Sequence, residues 1–373
     1  MSRRQSLDHL RGIAIICVVV MHSTLTYVQT EAAILFDSFV HNLTTVGVPT
    51  FLFLAGFFMM PPRWDSFWHF ISEKFERVYL PAAVCTVGFA VGVSLTGHVR
   101  VFDLRLIVMN LLTLSDPYPY YFVFVLMLLY GIGYWLLAQS DDALRRVAYL
   151  SGVVLLINVA AYELAIWRAG PGELSALWMY RNPLVWAFFF VYGTYVARTD
   201  PDMTSGCFAL VRKYKWVACG LMVGAWVLTS LETYALFWKL APGAQDYFKI
   251  ATVAYTILAL HRLLLFCQRT VIAPRLASTL QLLSRYSFFI FLTHVPAVPK
   301  LLGEPALTQL GQVRLLSIAV GAGLSLLLPV LAGAAIQWVV PRPSVWRLIG
   351  LPDAAPGRAE LNARTTLTRV LRP

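Results

Sequence analysis

A chain of 373 residues that is 58% hydrophobic and 13% charged carries about half the charge of an ordinary soluble domain. That excludes a soluble globular enzyme, a disordered tail and a fibrous protein. Ten spans of ~20 residues would leave no length for a separate soluble catalytic domain. The net charge of +11 invites a polyanionic partner, yet no basic stripe interleaves with exposed aromatics, so a nucleic-acid role is set aside.

In chain order, apolar spans are expected near 13–30, 40–59, 78–96, 120–138, 147–166, 183–197, 216–231, 247–266, 286–299 and 315–338. With the N-terminus inside, this segmentation leaves only Arg100, Arg105, Arg168, Arg181, Lys239, Lys249, Lys300 and Arg314 outside. The other lysines and arginines collect on the inner side, the positive-inside pattern, with both termini cytoplasmic. The fold expected is therefore an all-α membrane protein of about ten transmembrane helices, in a polytopic domain over residues 1–338. The first span is long for a signal sequence and carries Arg11 and His22, so it reads as a retained helix. Residues 104–114 are too short to span and run into SDPYPY, which predicts a re-entrant or interfacial helix on the outer side. Residues 339–373, with five prolines, read as a cytoplasmic tail with a short interfacial helix around Trp346. The five cysteines avoid the outer loops, and none has a zinc-type spacing, so neither disulfides nor a metal is expected.

Ionisable groups that survive inside apolar spans mark function, because burying them in hydrocarbon costs several kcal/mol. In SLDHLRGIAIICVVVMHS, Arg11 and His22 are eleven residues apart, about three turns, so they share one helix face some 16 Å apart. Asp8 lies one turn before Arg11 on that face. In LLSRYSFFIFLTHVP, Ser287 and His294 are two turns apart on one face, and His294 sits at a depth close to that of His22. The two histidines are therefore expected to flank one cavity, or else His294 bonds a neighbouring helix beside Pro296. Lys74, Arg77, Arg262 and Arg285 gather at the inner helix ends, where with Arg11 they offer guanidinium and ammonium groups to phosphates. Glu163, Glu232 and Asn158 are candidates for contacts to a hydroxyl-bearing substrate.

These stretches resemble the integral membrane acyltransferase-3 family, which O-acylates cell-envelope glycans and some small molecules. The resemblance lies in the basic-x10-His first helix, VGVPTFLFLAGFFM, the Lys74-to-Pro81 entry to the third span, FFFVYGTYVAR and LLSRYSFFIFLTHVP, in that order. The chain departs from the family pattern at Ala55–Gly56, at Tyr121–Phe122, and at Phe289 and Phe291. It also ends without the periplasmic hydrolase-like domain that some relatives carry.

The resemblance implies an acyl-CoA-dependent O-acyltransferase of the bacterial inner membrane. Acetyl-CoA would be the donor, and a hydroxyl of an extracytoplasmic or lipid-linked glycan the acceptor, with a separate periplasmic protein as a possible partner. Arg11, Asp8, Lys74, Arg77, Arg262 and Arg285 would line the CoA end. His22 would act as general base, while His294, Ser287 or backbone donors stabilise the oxyanion. An acyl-enzyme on His22, or on a nearby hydroxyl or thiol, stays open beside direct transfer. A glycan or lipid exporter fits the same helices and intramembrane histidines, but no inverted repeat supports it. O-acylation of a small molecule shares the chemistry and differs only in acceptor.

Overall fold

The computed structural model of the protein describes residues 3–24, 31–59, 64–95, 104–114, 118–169, 179–239, 248–310 and 314–353. These residues form helices and turns and contribute no strand. The helices are α1 (Arg3–His22), α2 (Glu31–Thr44), α3 (Gly47–Phe57), α4 (Phe67–Lys74), α5 (Leu80–Leu95), α6 (Leu104–Thr113), α7 (Tyr121–Leu137) and α8 (Asp141–Ala169). They continue with α9 (Pro183–Thr199), α10 (Gly206–Lys213), α11 (Lys215–Lys239), α12 (Ile250–Arg269), α13 (Pro274–Leu310), α14 (Arg314–Val339) and α15 (Pro343–Leu348). Five stretches, Glu31–Phe57, Asp141–Arg168, Lys215–Leu236, Ile250–Arg269 and Arg314–Val339, are long and apolar enough to cross a membrane. Large apolar side chains on α8 and α11, among them Leu150, Ile157, Trp216, Val217 and Leu221, point outward and exposed, as a lipid-facing surface requires.

Helix ends depart from the sequence reading where a proline or a local polar bond intervenes. Helix α1 begins at Arg3 and ends at His22; the expected continuation through 25–30 lies outside the described residues. The second expected span is two helices, α2 and α3, broken at Thr45–Val46. Pro49 has no N–H for the carbonyl of Thr45, and its ring crowds that carbonyl, so the ladder cannot run through. The Thr45 hydroxyl bonds back to Asn42 O at 2.8 Å. The third span starts earlier than expected, because α4 leads through a π-helical turn, Phe75–Tyr79, into α5 just ahead of Pro81. An inserted π turn is a common way to accommodate a proline in a continuing helix. Helix α13 starts at Pro274, twelve residues ahead of expectation, and runs on past Pro296. A helix does occupy 104–113; its neighbours 98–103 and 115–117 lie outside the described residues.

Helices α1 and α13, and α3 and α9, make the most extensive contacts. Both crossings depend on glycine. A Cβ on Gly12 would fall on the carbonyl oxygen of Leu280. One on Gly56 would fall on Phe190 O, and one on Gly193 on Phe53 O, so the two backbones touch reciprocally. Thr194 Oγ1 donates across this crossing to Gly56 O at 3.2 Å. In hydrocarbon, where apolar burial does not drive helices together, such small-residue contact supplies the attraction.

The segment after α14 folds back on the helical body. Trp346 in α15 is buried and donates from Nε1 to Val340 O at 2.6 Å. Leu351 packs near Gly333, and Gln337 Nε2 donates to Pro352 O at 2.7 Å. The expected short helix around Trp346 is thus present as a packed element, and residues 354–373 lie outside the described residues.

Candidate active site

Helices α1, α3, α4, α7 and α13 enclose a cavity of about 260 Å³. Arg11, Phe58, Lys74 and Tyr130 line it together with Val18, Val48, Phe122, Ser287 and Phe291. Three helices give it the same polarity. Along α1 the lining runs from Arg11 to Val18, along α3 from Phe58 to Val48, and along α7 from Tyr130 to Phe122. At 1.5 Å per residue each track covers roughly 10–15 Å from a cationic end to an apolar end.

The cationic end is built from charge set on aromatic faces. The Arg11 guanidinium lies 5.0 Å from the centre of the Phe58 ring and 4.0 Å from Asp8, its partner one turn earlier. Lys74 Nζ sits 4.8 Å over Trp64, 5.5 Å over Phe70 and 5.0 Å over Tyr130. Aromatic faces hold a cation by their quadrupole and leave its N–H donors directed elsewhere. Trp64 is in turn fixed by a 2.6 Å bond from Nε1 to Glu73.

One helical turn beyond the far end stand the two histidines. The rings of His22 and His294 lie 5.1 Å apart, centre to centre, tilted by 53°. Phe291, which lines the cavity, is 6.2 Å from the His294 ring. His294 is 2% exposed; its Nδ1 lies 3.1 Å from Ile290 O and 2.9 Å from Phe291 O. Its Nε2 is buried with no partner among the described residues. Ser287 is buried on the same face of α13, at the cavity wall. A buried polar atom without a partner is rare enough to demand a reason, and a catalytic role is one such reason.

The sequence-derived residues sort clearly. Arg11, Lys74 and Ser287 line the cavity, Asp8 pairs with Arg11, and His22 and His294 meet beyond it. Arg77 is exposed and pairs with Glu73 at 3.5 Å, one turn from Lys74. Arg262 and Arg285 are not among the lining residues, and Arg285 Nη2 donates to Asp353 O at 2.9 Å. The neighbour of Arg262, His261, is bonded to Tyr192 at 2.7 Å. Asn158 bonds its own helix at Val154 O, and Glu163 accepts from Ile250 N at 2.9 Å, capping α12. Glu232 keeps one buried carboxylate oxygen without a partner among the described residues.

Sequence reasoning missed His41, whose Nδ1 lies 3.0 Å from Thr24 Oγ1, two residues past His22. The signal was there: Asp37, His41 and Thr44 recur at helical spacing across the start of the expected second span. The aromatic cage of Lys74 had no such signal, since Trp64, Phe70 and Tyr130 come from three separate segments.

The cavity is cationic at Arg11 and Lys74, and the buried histidine pair stands one turn beyond its opposite end. Residues 4–340 match the family model described as an acyltransferase domain, and the chain belongs to that family, acyltransferase-3. No curated protein and no solved structure matches it.

Proposed function

We propose that the protein transfers an acyl group, acetyl in the simplest case, from cytoplasmic acyl-CoA to a hydroxyl of an extracytoplasmic or lipid-linked glycan at the bacterial inner membrane. In this reading residues 1–338 form one polytopic domain of ten spans with both termini in the cytoplasm, the arrangement that the distribution of Lys and Arg favours. The observation that carries it is the shared polarity of the cavity. Arg11 and Lys74 mark the end that would receive the phosphates, and His22 and His294 stand a turn beyond the end that would receive the thioester. The lining tracks of roughly 10–15 Å and the aromatic wall support the reading that a flexible pantetheine arm extends along the cavity. The family supports acyl transfer as the reaction class.

The chemistry follows from the groups present. His22 takes the proton of the acceptor hydroxyl as its oxygen attacks the thioester carbonyl. Ser287 and backbone N–H groups bear on the oxyanion, the carbon–sulfur bond breaks, and the thiolate leaves with a proton returned from His22. Lys74, on its aromatic cage, and Arg11 hold the phosphates, with Arg77 one turn away.

The test is CoA release by the purified protein in lipid nanodiscs, with acetyl-CoA as donor and membrane glycolipid extracts as acceptor. Turnover in the wild type, lost about 10²–10⁴-fold in His22→Ala, is the expected result. A wild type that neither binds nor consumes acyl-CoA under these conditions refutes the reading.

A further inference from the structure

The hydrogen bonds of His294 decide what it can do. Both carbonyls near its Nδ1, Ile290 O and Phe291 O, are acceptors, so that nitrogen carries the proton. In the neutral ring, Nε2 is then a bare acceptor. It is buried and has no partner among the described residues. A neutral His294 therefore has no donor left for an oxyanion, whereas the Ser287 hydroxyl, two turns before it on the cavity wall, has one.

The imidazole of His22 is the ring beside that of His294. A centre-to-centre distance of 5.1 Å is close to one N–H···N hydrogen bond plus the two ring radii. At the present 53° tilt Nε2 has no partner among the described residues, and the bond requires His22 to turn about its soft χ2. We propose that His294 is a positioning residue: its Nε2 accepts the N–H of His22 and so directs the lone pair of the other His22 nitrogen at the acceptor hydroxyl.

This rests on the acyl-transfer reading and gives its base a fixed tautomer. The hydroxyl proton moves to the free nitrogen of His22 as the oxygen–carbon bond forms. His22, now an imidazolium, keeps its second N–H on His294 Nε2. When the carbon–sulfur bond breaks, the thiolate takes the transferred proton and both rings end neutral. His294 gains and loses nothing. It stands where a carboxylate stands in a serine-hydrolase triad, and a neutral acceptor suits an apolar site that would penalise a buried carboxylate.

Three variants and one spectrum test this. His294→Leu removes the acceptor and is expected to lower kcat about 10²-fold while leaving the KM for acetyl-CoA within a factor of two, a smaller loss than the wrong-tautomer limit seen in triads. His294→Gln restores an acceptor oxygen and is expected to recover several-fold of that loss. In His22→Ala/His294→Leu, turnover should fall no further than in His22→Ala alone, because the two rings act as a unit. Nitrogen-15 spectra of histidine-labelled protein in nanodiscs should show His294 protonated at Nδ1 and bare at Nε2, assigned by its loss in His294→Gln. Full kcat in His294→Leu, no recovery in a folded His294→Gln, or a protonated Nε2 each overturns the proposal. A wild type without acyl-CoA turnover sinks the acyl-transfer reading instead, and the spectrum still decides the histidine pair.

Discussion

Two polar clusters of the helix bundle treat buried hydrogen-bonding groups in opposite ways. Where α2, α11 and α12 meet, Asn42, Thr229, Thr233, Thr252 and Lys249 satisfy one another. Asn42 donates to Thr233 at 2.8 Å and accepts from Thr229 at 3.2 Å, Thr229 meets Thr252 at 2.5 Å, and Lys249 Nζ reaches Thr233 at 2.8 Å. Alongside, Arg314 of α14 grips Asp37 of α2 with two bonds, Asp37 being fully buried. At the cavity the opposite holds, since His294 Nε2 is left open beside His22. Burying a polar group without a partner costs roughly 1–3 kcal/mol, so the first cluster offsets its burial by attaching helices and the second keeps an acceptor beside His22. The contrast is one of saturation, which composition does not reveal.

Substitutions can break this contrast, beginning with the largest effect. His22→Ala is expected to remove about 10²–10⁴-fold of turnover while the melting temperature stays near that of the wild type. A large drop in thermal stability would move His22 into the structural region. Asp37→Ala strands the Arg314 guanidinium and is expected to destabilise by about 3–5 kcal/mol, whereas Asp37→Leu with Arg314→Met recovers most of it. Thermal unfolding in detergent reads both. Gly193→Leu forces α3 and α9 apart and should cost at least about 1–3 kcal/mol, with activity falling alongside because α3 lines the cavity.

The smaller effects sharpen the cavity side. Arg11→Ala is expected to raise the KM for acetyl-CoA about tenfold or more, the loss of a charge-assisted contact, with kcat less affected. Lys74→Met should do the same to a lesser degree, since its aromatic cage stays filled by the apolar stem. If Arg262→Ala raised that KM as much as Arg11→Ala, the boundary drawn by the cavity lining would be wrong.

The class of the chain, the face shared by Arg11 and His22 and the face shared by Ser287 and His294 were legible before folding, from composition and a period of 3.6 residues, both local properties. The family was legible as a resemblance, in the order of five motifs. Helix limits were less legible. Pro49 splits a span that hydropathy alone would run through, and α4 with its π turn extends the third span backwards, because hydrogen-bond geometry is not encoded in hydrophobicity.

Which cations face one cavity depends on helix packing. Lysines and arginines collect at helix ends for topological reasons, so Arg11 and Lys74 look no different in sequence from Arg262 and Arg285. The crossings of α1 with α13 and of α3 with α9, allowed by Gly12, Gly56 and Gly193, fix which helices stand beside α1. Those crossings bring His22 against His294, on helices 272 residues apart along the chain, and leave one ring nitrogen with nothing but the other ring to answer it.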